Sequence, residues 1–193
     1  MANFVTGNAA KEDTLNQLVA SEGAVAADST AVANTTTLTD FSKTLTLRAG
    51  AVWFQGCMYE IGASGIYSCT GTPTIQFILY LGGQILCSST YTITCPSGVT
   101  NMIWSIRARA LFRSVGATAS LQRGSCIVAL ANLAAPLGSS LVHEVGLTGA
   151  VTLDTTGTLI GKCAVKWSAA SASNTATQQM IEHKVLPPLT VVT

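Results

Sequence analysis

Charge is what this sequence has least of. Asp, Glu, Lys and Arg make up 10% of its 193 residues, against about a quarter in ordinary globular domains. From residue 61 to residue 143 no side chain carries a carboxylate, and the only charges there are Arg107, Arg109, Arg113 and Arg123. A net charge of +1 argues against bulk electrostatic attraction to nucleic acid or to an anionic membrane. Hydrophobic residues reach 48% and mean hydropathy is +0.44. Even so, no apolar run approaches the roughly 20 residues that a membrane-spanning helix needs. A chain this apolar is expected to hide much of its surface in partners. The alternative is a well-covered monomer with a Ser, Thr and Gly surface.

Chemical motifs are scarce as well. Neither histidine, His143 or His183, stands at ligand spacing from any of the six cysteines (Cys57, Cys69, Cys87, Cys95, Cys126, Cys163), and no Cys-x-x-Cys occurs. No metal site is expected from such a pattern. There is no Gly-x-Ser-x-Gly and no phosphate-cradling glycine motif; Gly82-Gly83 reads as a hairpin turn. His143-Glu144 in a loop reads as a solvated pair, with a metal or acid/base pair as the alternative. The expectation is therefore a protein that is not an enzyme and needs no cofactor. The opening Met-Ala-Asn-Phe-Val-Thr-Gly lacks the basic start and apolar core of a secretory signal. Reduced, mostly buried cysteines in a protein made in a cytosol are thus expected, with a Cys87–Cys95 bridge across a hairpin as the alternative.

What the sequence does have is β-pattern. From Asn101 to Gly116, Met102, Trp104, Ile106, Ala108, Ala110 and Phe112 share one parity, so an extended chain turns them all to one face. The opposite parity mixes Ile103 and Leu111 with Ser105, Arg107, Arg109 and Arg113. That is a strand with one face in a core and the other mainly basic. Ile75, Phe77, Leu79 and Leu81 make a second core face, while Ile78 and Tyr80 put large groups on its reverse. A strand apolar on both sides is covered on both sides, by a second layer or another subunit. Further strands are expected at Thr35–Phe41, Lys43–Leu47, Cys57–Tyr67, Gln84–Cys87, Tyr91–Cys95, Ala117–Leu130, Ser140–Val145, Leu159–Trp167 and Thr175–Leu186. Gly62 and Gly65 point to a bend or bulge.

Residues 1–33 do not read as sheet. Lys11–Glu22 carries a short helical stripe of Leu15, Leu18 and Val19, too short to stand alone in water, so it needs a surface to lie on. The domains expected are an arm at 1–33, a β-sandwich at 34–188 and a tail at 189–193. The fold class expected is all-β, an antiparallel jelly-roll-like sandwich of two four-stranded sheets. Cys87, Trp104 and Cys163 imitate the immunoglobulin order, but Gly161 stands where that fold wants tyrosine. Trp104, Phe112 and Trp167 are expected in the core.

Three stretches carry a resemblance: Tyr59-Glu-Ile-Gly-Ala-Ser-Gly-Ile-Tyr-Ser68, Gly71-Thr-Pro-Thr-Ile-Gln-Phe-Ile-Leu-Tyr-Leu-Gly-Gly83 and Trp167-Ser-Ala-Ala-Ser-Ala-Ser-Asn-Thr175. Over roughly Thr44 to Val185 the chain resembles β-sandwich virion proteins of tailed bacteriophages, which serve as cement or decoration proteins or as fibre modules. The resemblance implies a capsid cement protein on the virion surface, assembled in the host cytoplasm. A homotrimer bound to the major capsid protein is implied too; a receptor-binding fibre module is the alternative. Arg107, Arg109, Arg113, Ile78 and Tyr80 are then expected at a subunit interface, and Leu15, Leu18 and Val19 on a capsid-attachment arm. The arginine stripe lacks interleaved aromatics, so nucleic acid is not the expected partner.

Overall fold

The alternation legible in the sequence becomes strands wherever a tight turn lets the chain double back. At Gly82 and Gly83 both φ angles are positive (54° and 82°), the backbone of a two-residue hairpin turn that matches strand twist and favours glycine. Leu81 and Gln84 face each other across it. The computed structural model describes residues 22–25, 27–47, 55–88, 93–131, 140–144 and 149–186. Its strands, in chain order, are β1 (Glu22–Val25), β2 (Val32–Ala33), β3 (Thr39–Asp40), β4 (Leu45–Leu47), β5 (Met58–Cys69), β6 (Thr74–Leu81) and β7 (Gln84–Ser88). They continue with β8 (Ile93–Thr94), β9 (Val99–Phe112), β10 (Ala119–Ala131), β11 (Ser140–Glu144), β12 (Ala150–Leu153), β13 (Leu159–Trp167) and β14 (Thr175–Leu186).

They form two antiparallel sheets packed as a sandwich. The larger runs β1-β14-β5-β9-β10-β11, with β2 also on β14 and β12 also on β10. The smaller runs β3-β13-β6-β7, with β4 also on β13 and β8 also on β6. The chain is all-β, as the patterning requires, but the sheets have eight and six strands among the described residues instead of four each. The extra members are mostly short strands appended at sheet ends, below the length at which periodicity is visible.

One core lies between the sheets. Trp104 of β9 is fully buried and stacks against Phe77 of β6 (ring centroids 4.3 Å) and Phe41 (5.4 Å). Its indole N–H is shared between the carbonyls of Ile66 (3.1 Å) and Thr177 (3.3 Å), as a buried tryptophan requires. Phe112 and Trp167 are fully buried too. Across from Trp104 on β5 sits Gly65. A Cβ there would lie 1.9 Å from the Thr177 carbonyl oxygen, so only glycine lets that carbonyl reach the indole. β14 bulges just beyond, between Gln178 and Met180.

Three expectations are corrected. Residues up to 33 do contribute to the sheet: β1 and β2 pair antiparallel with β14, whose edge they cover. Ser29 exchanges two hydrogen bonds with the Gln178 backbone, its N–H to the carbonyl (2.7 Å) and its Oγ from the N–H (3.0 Å). The buried Gln178 amide donates to the Lys43 carbonyl (3.0 Å). Next, Thr35–Phe41 shrinks to β3. Thr35 accepts from the Thr37 N–H and Thr39 donates to the Thr37 carbonyl, both at 3.0 Å, and such local bonds compete with a ladder. Third, Cys87 is bonded to Cys126 (Cα–Cα 5.5 Å), joining β7 of the small sheet to β10 of the large one. Cys57, Cys69, Cys95 and Cys163 are buried and stand outside any disulfide. The bridge thus spans the sandwich and not a hairpin to Cys95, because β7 and β8 each pair with β6 and not with each other. The Lys11–Glu22 stripe lies outside the described residues except at Glu22, which begins a strand. The tail at 189–193 also lies outside them.

Trp104→Ala should lower stability by about 3–5 kcal/mol, read as a lowered melting temperature; an unchanged midpoint would show the stack to be incidental. Gly65→Ala should cost about 1–3 kcal/mol by displacing a buried acceptor. Denaturant titration that finds the variant as stable as the parent would show that the close approach is not needed.

Candidate functional site

Strands β14, β5, β9 and β10 alternate buried and exposed residues, so one parity of each builds the outer face of the large sheet. Antiparallel register lines these residues up in rows. Lys184, Glu60 and Arg109 form one row; Glu182, Gly62, Arg107 and Ile127 the next; Met180, Ser64, Ser105 and Ala129 the third. The charges meet within and between rows. Arg109 Nε lies 2.7 Å from Glu60 Oε2, Arg107 Nε 3.4 Å from Glu60 Oε1, and Arg107 Nη2 3.3 Å from Glu182 Oε1. Glu60 is the anchor, its side chain only 18% exposed against more than half for each arginine.

This corrects the motive for placing the arginines against a neighbour. The stretch between residues 61 and 143 offers them no carboxylate, but β5 beside β9 brings Glu60, and β14 on the far side of β5 brings Glu182, from outside that stretch. Arg113 lies beyond the end of β9, exposed, with no carboxylate paired to it among the described residues. Ile78 and Tyr80 sit on the reverse of the small sheet and find cover in their own chain. Ile78 is buried beside Ala164 and Ser88. The Lys162 ammonium lies 5.1 Å from the Tyr80 ring centroid and pairs with Asp40. Burial and, secondarily, the Asp40 carboxylate push the Tyr80 phenol above its ordinary pKa.

Large apolar side chains are also uncovered on the outer face of the large sheet. Ile103 is 63% exposed, Ile127 43% and Leu111 42%. Ile127 stands opposite Arg107, Ile103 opposite Ile66, and Leu111 opposite Met58. Between them the face dips where side chains are small. Gly62 floors a depression of about 490 Å3 walled by Glu60, Glu182, Arg107 and Lys184, with Ala24 of β1 at its rim. It continues past Ser64, Ser105 and Met180 to Ile127. A Cβ on Gly62 would touch Glu182 Oε1 at 3.2 Å, so the glycine keeps the carboxylate over the strand. Aliphatic groups around internally neutralised charges suit a protein surface of matching shape, because few charges need be stripped of water without a partner.

Comparisons with known proteins give little to set beside this geometry. No family model matches the chain, and no curated protein matches it. Among solved structures it is similar to the CBM2 module of the evolved Dit protein of Lactobacillus casei BL23 phage J-1, a phage protein. There the TM-score is 0.37 at 9% identity, covering 76% of this chain and 70% of that one. It is also similar to a legume lectin-like domain from Entamoeba histolytica, with a TM-score of 0.30 at 8% identity, covering 88% and 92%. Likenesses at this level do not bear on function.

The residues that sequence reasoning missed are Glu60, Glu182 and Gly62. Glu60 and Gly62 had a signal: they alternate with the inward Tyr59 and Ile61, so the outer face was already their place. Ile103 and Leu111 stood on the arginine parity from the start. Leu15, Leu18 and Val19 lie outside the described residues, as do the side chains of His143 and Glu144. Among the described residues no three His, Cys, Asp or Glu gather at metal-holding distance.

Ile103→Ser combined with Ile127→Ser should change the stability of the isolated subunit by no more than about 0.5 kcal/mol, as exposed positions do. A loss several times larger, measured by denaturant unfolding of dilute protein, would show that these side chains are covered within the subunit.

Proposed function

We propose that this chain is a virion structural subunit of a tailed bacteriophage, a non-enzymatic sandwich that trimerises and cements neighbouring copies of a major capsid protein. The observation that carries the reading is the outer face of the large sheet, where Ile103, Leu111 and Ile127 are exposed around charges that already neutralise one another. A surface built so buries well against protein, and the pairing of Arg107 and Arg109 with Glu60 and Glu182 leaves it little net charge to draw nucleic acid. The low overall charge and the resemblance to β-sandwich virion proteins support the same reading. In it, the outer face meets a second subunit, Arg113 reaches an acceptor there, and the segment carrying Leu15, Leu18 and Val19 holds the shell. The protein then resides on the capsid surface after assembly in the host cytoplasm.

An obligate interface of this kind buries on the order of 2,000 Å2 or more. Native mass measurement at micromolar concentration should therefore give three times the 19.9 kDa chain, and the Ile103→Ser, Ile127→Ser variant should dissociate at no less than about tenfold higher concentration, roughly 1.4 kcal/mol. A single 19.9 kDa species for the parent would contradict trimerisation. Failure to bind shells lacking the protein, with retained binding to host-surface glycans, would favour the fibre module instead.

A further inference from the structure

The Cys87–Cys126 bridge ties the sheets together at one place, between β7 and β10. A second pair of cysteines spans them elsewhere. Cys69 is the last residue of β5, in the large sheet, and Cys95 directly follows β8, in the small one. Both are buried, 1% exposed, and their thiols are in hydrogen-bonding contact with each other. The backbone holds them there. The Cys95 N–H donates to the Pro73 carbonyl (2.8 Å), and the Cys69 thiol lies 3.1 Å from the carbonyl oxygen of Pro96, the residue after Cys95. Two buried thiols brought together from separate sheets can be joined where their Cα atoms lie within about 7 Å of each other.

We propose that Cys69 and Cys95 are an oxidation site that closes into a second inter-sheet disulfide once the protein meets an oxidising environment. The oxidant is a low-molecular-weight disulfide such as oxidised glutathione. One cysteine, as its thiolate, attacks a glutathione sulfur and releases the first glutathione thiol. The other then attacks the mixed disulfide, forming the Cys69–Cys95 bond and releasing the second. Two protein thiols are oxidised and one glutathione disulfide is reduced to two thiols. Burial pushes both thiols above their ordinary pKa, and the thiolate is the nucleophile, so the closed fold reacts slowly and local opening sets the rate. The chain therefore folds with this pair reduced and is locked afterwards. This inference is independent of the assembly reading above.

Full-length protein equilibrated with excess oxidised glutathione, alkylated on denaturation and digested without reduction tests it. The expected result is a peptide pair joined through Cys69 and Cys95, lighter by two hydrogens than the separate peptides, alongside the Cys87–Cys126 pair. The melting temperature should rise by roughly 6 °C or more on closing that loop, and Cys95→Ser should abolish that rise. The same incubation in denaturant just below the unfolding midpoint admits the oxidant. Recovery of Cys69 and Cys95 there as alkylated thiols, as lasting glutathione adducts, or joined to Cys57 or Cys163 would overturn the proposal. If Cys95→Ser does not fold, the peptide map of the parent protein decides alone.

Discussion

The sandwich depends on how one indole is held. Trp104 lies between Phe41 and Phe77, so a single side chain of the large sheet is gripped by two rings from the side of the small one. Its N–H would be costly to leave unpaired at zero exposure, at about 1–3 kcal/mol. The two carbonyls that satisfy it come from β5, the strand beside it, and from β14, the next one out. For the Thr177 carbonyl to arrive, β5 must have no side chain at residue 65. The bulge that follows puts Gln178 in the interior, where it fastens Ser29 and the Lys43 carbonyl. One buried donor thus links the stacking of the sheets, a glycine, a bulge and the docking of the N-terminal connection.

The outer face of the same sheet follows from that inner order. Because β9 turns Trp104, Ile106, Ala108 and Phe112 inward, it must turn Ile103, Ser105, Arg107, Arg109 and Leu111 outward. Register with β5 and β14 then sets Glu60 and Glu182 against the arginines. The salt bridges are exposed enough to contribute under about 1 kcal/mol each, so their effect is on the character of the surface more than on stability. They leave a face that is polar in composition, nearly neutral in field and fringed by aliphatic groups. In the proposed reading such a face is covered by protein.

Much of this was legible from the sequence, and the boundary between legible and hidden has a physical cause. Local alternation placed β5, β6, β9 and β13 and identified their inward residues, because a half-buried strand records its two environments in every second residue. Strands β13 and β14 were located to the residue. Pairing is another matter. Nothing in the neighbourhood of Arg107 names Glu182, and nothing near Cys87 names Cys126, since register between distant strands is a property of the whole sheet. The short strands β1 and β2 were missed for a related reason: a few residues of Ala, Val and Gly have no period, and they are held by the edge of β14 and not by their own pattern. The threonine run before Phe41 misled in the opposite direction, because β-propensity ignores hydroxyls that close local turns.

In the proposed assembly the outer face of the large sheet is covered when the protein is at work. Hydroxyl-radical footprinting tests it most directly, comparing dilute, dissociated protein with the assembled particle. The account predicts that oxidation of Ile103, Leu111 and Ile127 falls several-fold on assembly, while Leu38 and Ile160, also exposed but away from that face, react alike in both states. Equal labelling of all five residues in the two states would contradict it.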